Sequence, residues 1–239
     1  MPKPEWDDAV AWRYMDLPKL ASLLKDGLYM CRLDLLGDDE CEGMMDHEQS
    51  VFFEGAVEAI EAFVHEIGRD PASLHVRASW DLYDAMRRRT YVSSWQLSEG
   101  EVWWMWKVYC GGKCGLALRS TYAKLDQLIP LRSPHFMDIL IGQVRYDNSS
   151  PDPLALVTSK RAAFADEREL RVLCDLAGAA DASRGFFLGN TGEPLADSIV
   201  VSPLAPPWFR SVVEATCRSL GCFLPVEDSA LRGIPPQPH

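Results

Sequence analysis

Apolar and polar positions near the start of the chain predict one helix followed by one strand. Residues 16–27, DLPKLASLLKDG, place leucines at helical spacing. Asp16 is a suitable N-cap, Pro18 falls in the first turn and Gly27 is a suitable terminator. Residues 28–33, LYMCRL, are rich in residues that favour a strand.

The remaining pattern alternates between segments of the two kinds. Helical spacing predicts helices over 49–67, 72–88, 101–109, 122–129, 156–167 and 206–221. Ser98 and Glu101 form a predicted capping box for the third of these helices. Short runs of β-branched and aromatic residues predict strands over 90–97, 115–121, 136–146, 169–176, 185–190 and 198–203, with a bulge near Gly142.

This order of elements predicts an α+β fold. We expect one domain over 1–229, with a mixed, mostly antiparallel sheet of about six or seven strands, flanking helices and a flexible tail over 230–239. No internal repeat or linker divides the chain.

Composition and charge narrow the class of function. The chain has 239 residues, is 47% hydrophobic and carries a net charge of −11. That charge argues against non-specific binding to nucleic acid or to anionic membranes, which depends on clustered Lys and Arg. No long apolar stretch predicts a membrane span, and seven scattered cysteines favour a reducing compartment, so we expect a soluble cytoplasmic protein. No set of cysteines or histidines has zinc-like spacing, so no metal site is predicted.

The segment 160–176 contains charged residues at two-residue spacing before a buried strand. Glu167, Glu169 and Arg171 would share one face if the strand included all three. Such a face is either a salt-bridged network or a functional site. In a buried ion-pair network, Glu169→Gln should destabilise the fold. We expect instead that Glu169 is catalytic, so that Glu169→Gln retains stability and loses turnover.

An aromatic cluster, WWMWKVY at 103–109, precedes the strand at 115–121. The simpler interpretation is that Trp103 and Trp106 are core residues. The alternative is that Trp106 and Tyr109 form a wall that stacks on a flat ring of a ligand.

Several short motifs resemble an uncharacterised bacterial family, domain-of-unknown-function family twenty-nine seventy-one. They are WRYM at 12–15, LDLLGDDECEG at 33–43, SSW at 93–95, EVWWMW at 101–106, GLAL at 115–118 and VRY at 144–146. The last is the segment 160–171, in which KR is followed by Phe, Glu-x-Glu and Arg. One extra residue lies before Phe164 relative to that family's pattern. The resemblance spans most of the chain and implies no activity.

A second resemblance, to ADP-ribosyltransferases of the Arg, Ser-Thr-Ser, Glu-x-Glu type, implies a chemistry. Its motifs occur here in the same order as Arg13, Ser93 with Ser94, and Glu167 with Glu169, although SSW replaces Ser-Thr-Ser. The resemblance implies that the arginine binds the phosphates of NAD, that the hydroxyl motif braces the site and that the second glutamate stabilises the ribose cation.

A glutamate pair, an arginine and an aromatic wall also suit this chemistry on physical grounds alone. Breaking an N-glycosidic bond develops positive charge on the ribose, which a carboxylate stabilises, and an arginine binds a diphosphate. Together with this chemistry, the resemblance implies that the catalytic residues are Glu169 and Glu167. The predicted NAD-binding residues are Arg13, Ser93, Ser94, Trp95, Trp106, Tyr109, Lys160 and Arg171.

Two classes of function remain open at this point. One is an NAD-dependent ADP-ribosyltransferase or NAD glycohydrolase, in a bacterial toxin or phage-defence setting, that binds a nucleotide and a protein partner. The other is a catalytically silent binding module in which Arg13, Glu167, Glu169 and Arg171 form a structural network.

Overall fold

The central feature of the fold is one sheet built from strands that are distant in sequence. The structure is a computed structural model that describes residues 1–36, 86–110, 113–132, 139–146, 157–175, 184–190 and 192–233. Within these ranges the strands are β1 (Val10–Asp16), β2 (Leu28–Arg32), β3 (Thr90–Leu97), β4 (Gly115–Thr121), β5 (Ile139–Gln143), β6 (Glu169–Asp175), β7 (Gly185–Leu188), β8 (Ser198–Val201) and β9 (Val226–Asp228).

The nine described strands form a single mixed sheet. Their order is β5-β6-β3-β1-β4-β8-β9, while β2 pairs with both β3 and β7. The β8–β9 pair is parallel and the other pairs are antiparallel. With its helices this sheet is an α+β fold, and the predicted fold class is confirmed.

The sheet divides at its centre, between β1 and β3. These strands pair only at Ala11 with Leu97 and at Trp12 with Gln96. Beyond those pairs β1 continues against β4 as far as Asp16, whereas β3 continues against β6 as far as Thr90. The two strands therefore part and leave an opening between them.

Apolar side chains cover both faces of the sheet. On one face Ala11 and Met15 of β1 join the largest buried cluster. On the other, Trp12 and Tyr14 pack with Trp106, whose ring meets Tyr14 edge-on with centroids 4.8 Å apart. Because neighbouring side chains in a strand point to opposite faces, Arg13 shares the face of Ala11 and Met15.

Four α-helices lie entirely within the described ranges: α1 (Leu17–Asp26), α2 (Trp103–Tyr109), α3 (Tyr122–Leu128) and α4 (Phe209–Ser219). Helix α1 begins as predicted, because the Asp16 carboxylate accepts from the Lys19 amide at 2.8 Å. It ends at Gly27, whose φ of 105° is one that glycine adopts readily.

The predicted capping box at Ser98 is wrong. Val102 is the N-cap of α2, and no side chain caps it. Glu101 instead accepts hydrogen bonds from the Trp106 indole at 3.1 Å and from the Ala230 amide at 2.7 Å. A tertiary contact with the end of the chain has replaced the local one.

The predicted tail begins with residues that contact the domain. The Ala230 amide bonds Glu101, and Arg232 donates to the Ala205 carbonyl at 2.9 Å. The helices predicted over 49–67 and over most of 72–88, and residues 234–239, lie outside the described residues. Within the part of the chain that the structure describes, no helix has the length and apolar character needed to cross a membrane.

Candidate functional site

A cavity of about 540 Å³ occupies the opening between β1 and β3. Because the strands part there, the cavity is reached by side chains from both faces of the sheet. Eight residues predicted to be functional line it: Arg13, Ser93, Ser94, Trp95, Tyr109, Lys160, Glu167 and Glu169.

One end of the cavity, which we call the guanidinium end, consists of Arg13, Ser93 and Trp95. Arg13 Nη1 donates to Ser93 Oγ, and its guanidinium carbon lies 5.7 Å from the centre of the Trp95 ring. Among the residues that the structure describes, no carboxylate forms a salt bridge with Arg13. Burial therefore lowers the pKa of Arg13 to about 10, and the side chain is still a cation at neutral pH.

The other end, which we call the carboxylate end, is centred on Glu169. This carboxylate accepts from Arg171 Nε at 2.7 Å and Arg171 Nη2 at 3.1 Å. It also accepts from Ser94 Oγ at 2.6 Å, and Lys160 Nζ lies 3.0 Å from its Oε2. These four contacts occupy the acceptor positions that a carboxylate offers.

The charge of Glu169 is stabilised by its neighbours. Burial raises the pKa of Glu169, but the Arg171 guanidinium, the Lys160 ammonium and the hydrogen bonds from Arg171 and Ser94 outweigh it, and the pKa falls to about 2. Glu169 is 3% exposed and Arg171 is fully buried. The pair therefore has the properties of a buried ion pair that supports the fold.

Glu167 is held less completely. One of its oxygens accepts from the Tyr109 hydroxyl at 2.8 Å, and the other accepts from Lys160 Nζ at 2.7 Å. Lys160 thus joins Glu167 to Glu169. Two contacts leave Glu167 with acceptor positions that a ligand hydroxyl or amide can fill.

The backbone around the two glutamates differs from the sequence prediction. Glu167 is not in the strand: it ends a 3-10 helix, Ala162–Glu167, and Arg168 follows in the left-handed region with φ of 42°. Strand β6 begins at Glu169, whose amide donates to the Tyr146 hydroxyl at 2.6 Å. The prediction that three charges share one strand face therefore applies to Glu169 and Arg171 alone, while Lys160 brings Glu167 into the group.

Two predicted NAD-binding residues do not line the cavity. Trp106 is fully buried in the cluster between α2 and β1. Arg171 lies behind Glu169, and its Nη1 donates to the Val157 carbonyl at 3.0 Å. Trp106 therefore packs in the core, and Arg171 supports the fold through its contacts with Glu169 and the Val157 carbonyl.

Several lining residues were not predicted from the sequence. Trp12, Tyr14, Tyr29 and Met105 add apolar and aromatic walls, and Lys19 adds a cation. Gln96 also lines the cavity, and its Oε1 is buried without a hydrogen-bond partner, as is Trp95 Nε1. No short motif marks Gln96, because its position depends on where two strands separate.

The charge of the lining is small. Three cations, Arg13, Lys19 and Lys160, face two carboxylates, Glu167 and Glu169. Within the described ranges no three His, Cys, Asp or Glu side chains form a group suited to a metal ion. The arrangement suits a ligand with an anionic group at one end and hydrogen-bond donors at the other.

A comparison of the chain with protein-family models, curated proteins and solved structures found no match. The two resemblances given above remain predictions from short motifs. The function of the protein is therefore inferred from the geometry of the cavity.

Proposed function

We propose that the cavity binds NAD and that the protein is an ADP-ribosyltransferase-like enzyme. The observation that carries the proposal is Arg13, a partly buried guanidinium with no carboxylate partner among the described residues, in the opening of a divided sheet. Burying an unpaired cation has a free-energy cost, and an anionic ligand group such as a phosphate would offset it.

The charges of the lining favour a dinucleotide over a triphosphate. Three cations against two carboxylates give a net charge of one positive. The diphosphate of NAD carries two negative charges and its nicotinamide ring one positive charge, so the whole ligand has a net charge of about −1. A nucleoside triphosphate would bring three or four negative charges towards Glu167 and Glu169, which would repel them.

The aromatic lining fits the flat rings of such a ligand. Trp12, Tyr14, Tyr29, Trp95 and Tyr109 contribute ring surface to the cavity. Aromatic side chains provide large apolar contacts together with a polar group, which suits them to nucleotide bases.

The carboxylate end supplies the part needed for bond cleavage. As nicotinamide leaves, the C–N bond breaks, its electrons go to the nicotinamide nitrogen and positive charge develops on the ribose. The ribose carbon then bonds to the oxygen of water or to a nucleophile of the acceptor, which loses its proton to solvent. Glu167 has acceptor positions left for the ribose hydroxyls, and its negative charge stabilises this cation. The acceptor positions of Glu169 are already filled, so Glu169 does not contact the ribose directly. Its role is to position Lys160, which also binds Glu167.

A second candidate is a binding module without catalysis. It is favoured by the contacts of Glu169, which are those of a structural carboxylate paired with Arg171 and Lys160. In that case the cavity would bind a nucleotide and leave it intact, as a ligand sensor or a protein-interaction domain does.

The cellular setting belongs to the same proposal. Cys110 and Cys217 are buried thiols outside any disulfide, which is typical of a reducing compartment. We place the protein in the cytoplasm, where NAD is available. A protein partner in a toxin or phage-defence system would be the acceptor of the ADP-ribose.

Thermal unfolding with a panel of nucleotides tests the binding step. A ligand that binds only the folded protein raises the melting temperature by mass action. We expect a rise with NAD and with ADP-ribose at millimolar concentration, and a smaller rise with ATP. Absence of any shift with NAD would contradict the proposal.

Release of nicotinamide from NAD separates the two candidates. We expect the wild-type protein to release nicotinamide and Glu167→Gln to release at least tenfold less. The variant should lose less stability than Glu169→Gln does, because Lys160 keeps Glu169 as its partner. NAD binding without release of nicotinamide would favour the silent module.

A further inference from the structure

Gln96 lies where the two central strands separate. It pairs with Trp12 in the last β1–β3 pair and with Glu169 across β3–β6. Its side chain is on the same face of β3 as Ser94, which bonds Glu169. Gln96 is therefore at the closed end of the cavity, beside the carboxylate end.

The side-chain carbonyl oxygen of Gln96 is buried and unsatisfied. The residue is 2% exposed, and Oε1 has no hydrogen-bond partner. A buried polar group without a partner is costly, so such groups are rare in folded proteins. A glutamine retained only for packing would be replaced at lower cost by methionine, which has a similar shape and no amide.

We propose that Gln96 is a specificity-determining residue whose Oε1 accepts a hydrogen bond from a ligand N–H group. The proposal rests on the function proposed above, and the N–H group that fits is the carboxamide of the nicotinamide ring. Glu167, at the same end of the cavity, also has acceptor positions left, so this end favours a ligand part that donates hydrogen bonds.

The proposal predicts discrimination between two dinucleotides that differ in one group. In nicotinic acid adenine dinucleotide a carboxylate replaces the carboxamide, so the N–H donor is lost and a negative charge is added. A site built around hydrogen bonds to a ligand group rejects an analogue that lacks it. NAD should therefore bind more tightly than the acid form.

Gln96→Met tests the role of the amide, with Gln143→Met as a matched control. Gln143 is a half-buried glutamine of β5 that does not line this cavity. Affinities of both variants for NAD and for the acid form are measured by calorimetry, together with their melting temperatures. We expect Gln96→Met to bind NAD about fivefold to tenfold more weakly and to bind the acid form nearly as the wild type does.

Stability distinguishes a ligand-binding glutamine from a structural one. Because Gln96→Met removes a buried unsatisfied group, its melting temperature without ligand should equal or exceed that of the wild type. A lower melting temperature, or an unchanged ratio of the two affinities, would overturn the proposal. If the wild-type protein bound neither dinucleotide, the proposed function would fail first; if it bound both equally, only the role of Gln96 would fail.

Discussion

The two ends of the cavity hold their charges in opposite ways. At the carboxylate end, Glu169 is paired with Arg171 and Lys160 at 2.7 Å and 3.0 Å. At the guanidinium end, Arg13 has a serine hydroxyl and the face of Trp95 as its partners. Arg13 is on β1 and Arg171 is on β6, and both strands are paired on two sides within the sheet. The charge of Arg171 is nevertheless matched within the protein, whereas that of Arg13 is available to a ligand.

The difference separates stability from binding. A matched buried ion pair supports the fold, and removing one partner leaves the other charge uncompensated. A cation without a carboxylate partner contributes little to stability, and its role is then to bind an anionic group of a ligand. We therefore expect Glu169 and Arg171 to respond to mutation mainly through stability and the guanidinium end mainly through ligand binding.

The largest effect should follow from Arg171→Met. The change leaves Glu169 buried beside one cation instead of two, and it removes the bond to the Val157 carbonyl. We expect a loss of about 3–5 kcal/mol in the free energy of unfolding, measured in urea. Arg119→Met, at an exposed position of β4, is the control and should change stability by less than about 0.5 kcal/mol. If Arg171→Met cost no more stability than Arg119→Met, the claim that the Arg171 ion pair supports the fold would be wrong.

Acid should weaken the protein through Glu169. Its pKa in the folded protein is about 2, against 4.5 as the ordinary value, so its contribution is complete above pH 4.5 and is lost as the pH falls towards 2. The shift corresponds to about 3 kcal/mol. The free energy of unfolding is measured against pH for the wild type and for Glu169→Gln, and the difference between the two curves gives the contribution of Glu169.

The contacts of Glu169 also reverse an expectation drawn from the sequence. We expected Glu169→Gln to retain stability, as a catalytic carboxylate would allow. With Arg171 and Lys160 both bound to that carboxylate, the variant should instead be destabilised at neutral pH. A variant as stable as the wild type at pH 7 would show that the ion pairs contribute nothing.

Tyr109→Phe should have a smaller effect at the same end. It removes the hydroxyl that donates to Glu167 at 2.8 Å and keeps the ring. We expect a loss of about 0.5–1.5 kcal/mol in stability and a lower rate of nicotinamide release, because Glu167 is then less well oriented. An unchanged rate of release would place Glu167 outside the reaction.

The fold was largely predictable because most strands follow simple patterns. The bounds of β3 and β4 agree with the prediction to the residue, and β6 begins at Glu169 as predicted. Strand β1 was not predicted from the pattern. Its side chains are buried on both faces of the sheet, so the alternation of polar and apolar residues that marks a half-buried strand is absent.

The residues that line the cavity were predictable in part, and the contacts among them were less so. Arg13, Ser94 and Glu169 are far apart in sequence, and the resemblance in motif order named them together. Which cation pairs with which carboxylate depends on the left-handed turn at Arg168 and on the position of Lys160. Those contacts depend on how distant parts of the chain fold together, so a local sequence pattern does not predict them.

Calorimetric titration of NAD into the wild-type protein and into Arg13→Met tests the central claim most directly. The variant should fold with a melting temperature close to that of the wild type, because Arg13 has no carboxylate partner to lose among the described residues. Loss of charged hydrogen bonds to a phosphate should weaken NAD binding by roughly tenfold to a hundredfold. Equal affinity of both proteins for NAD, or no binding by the wild type, would contradict the account.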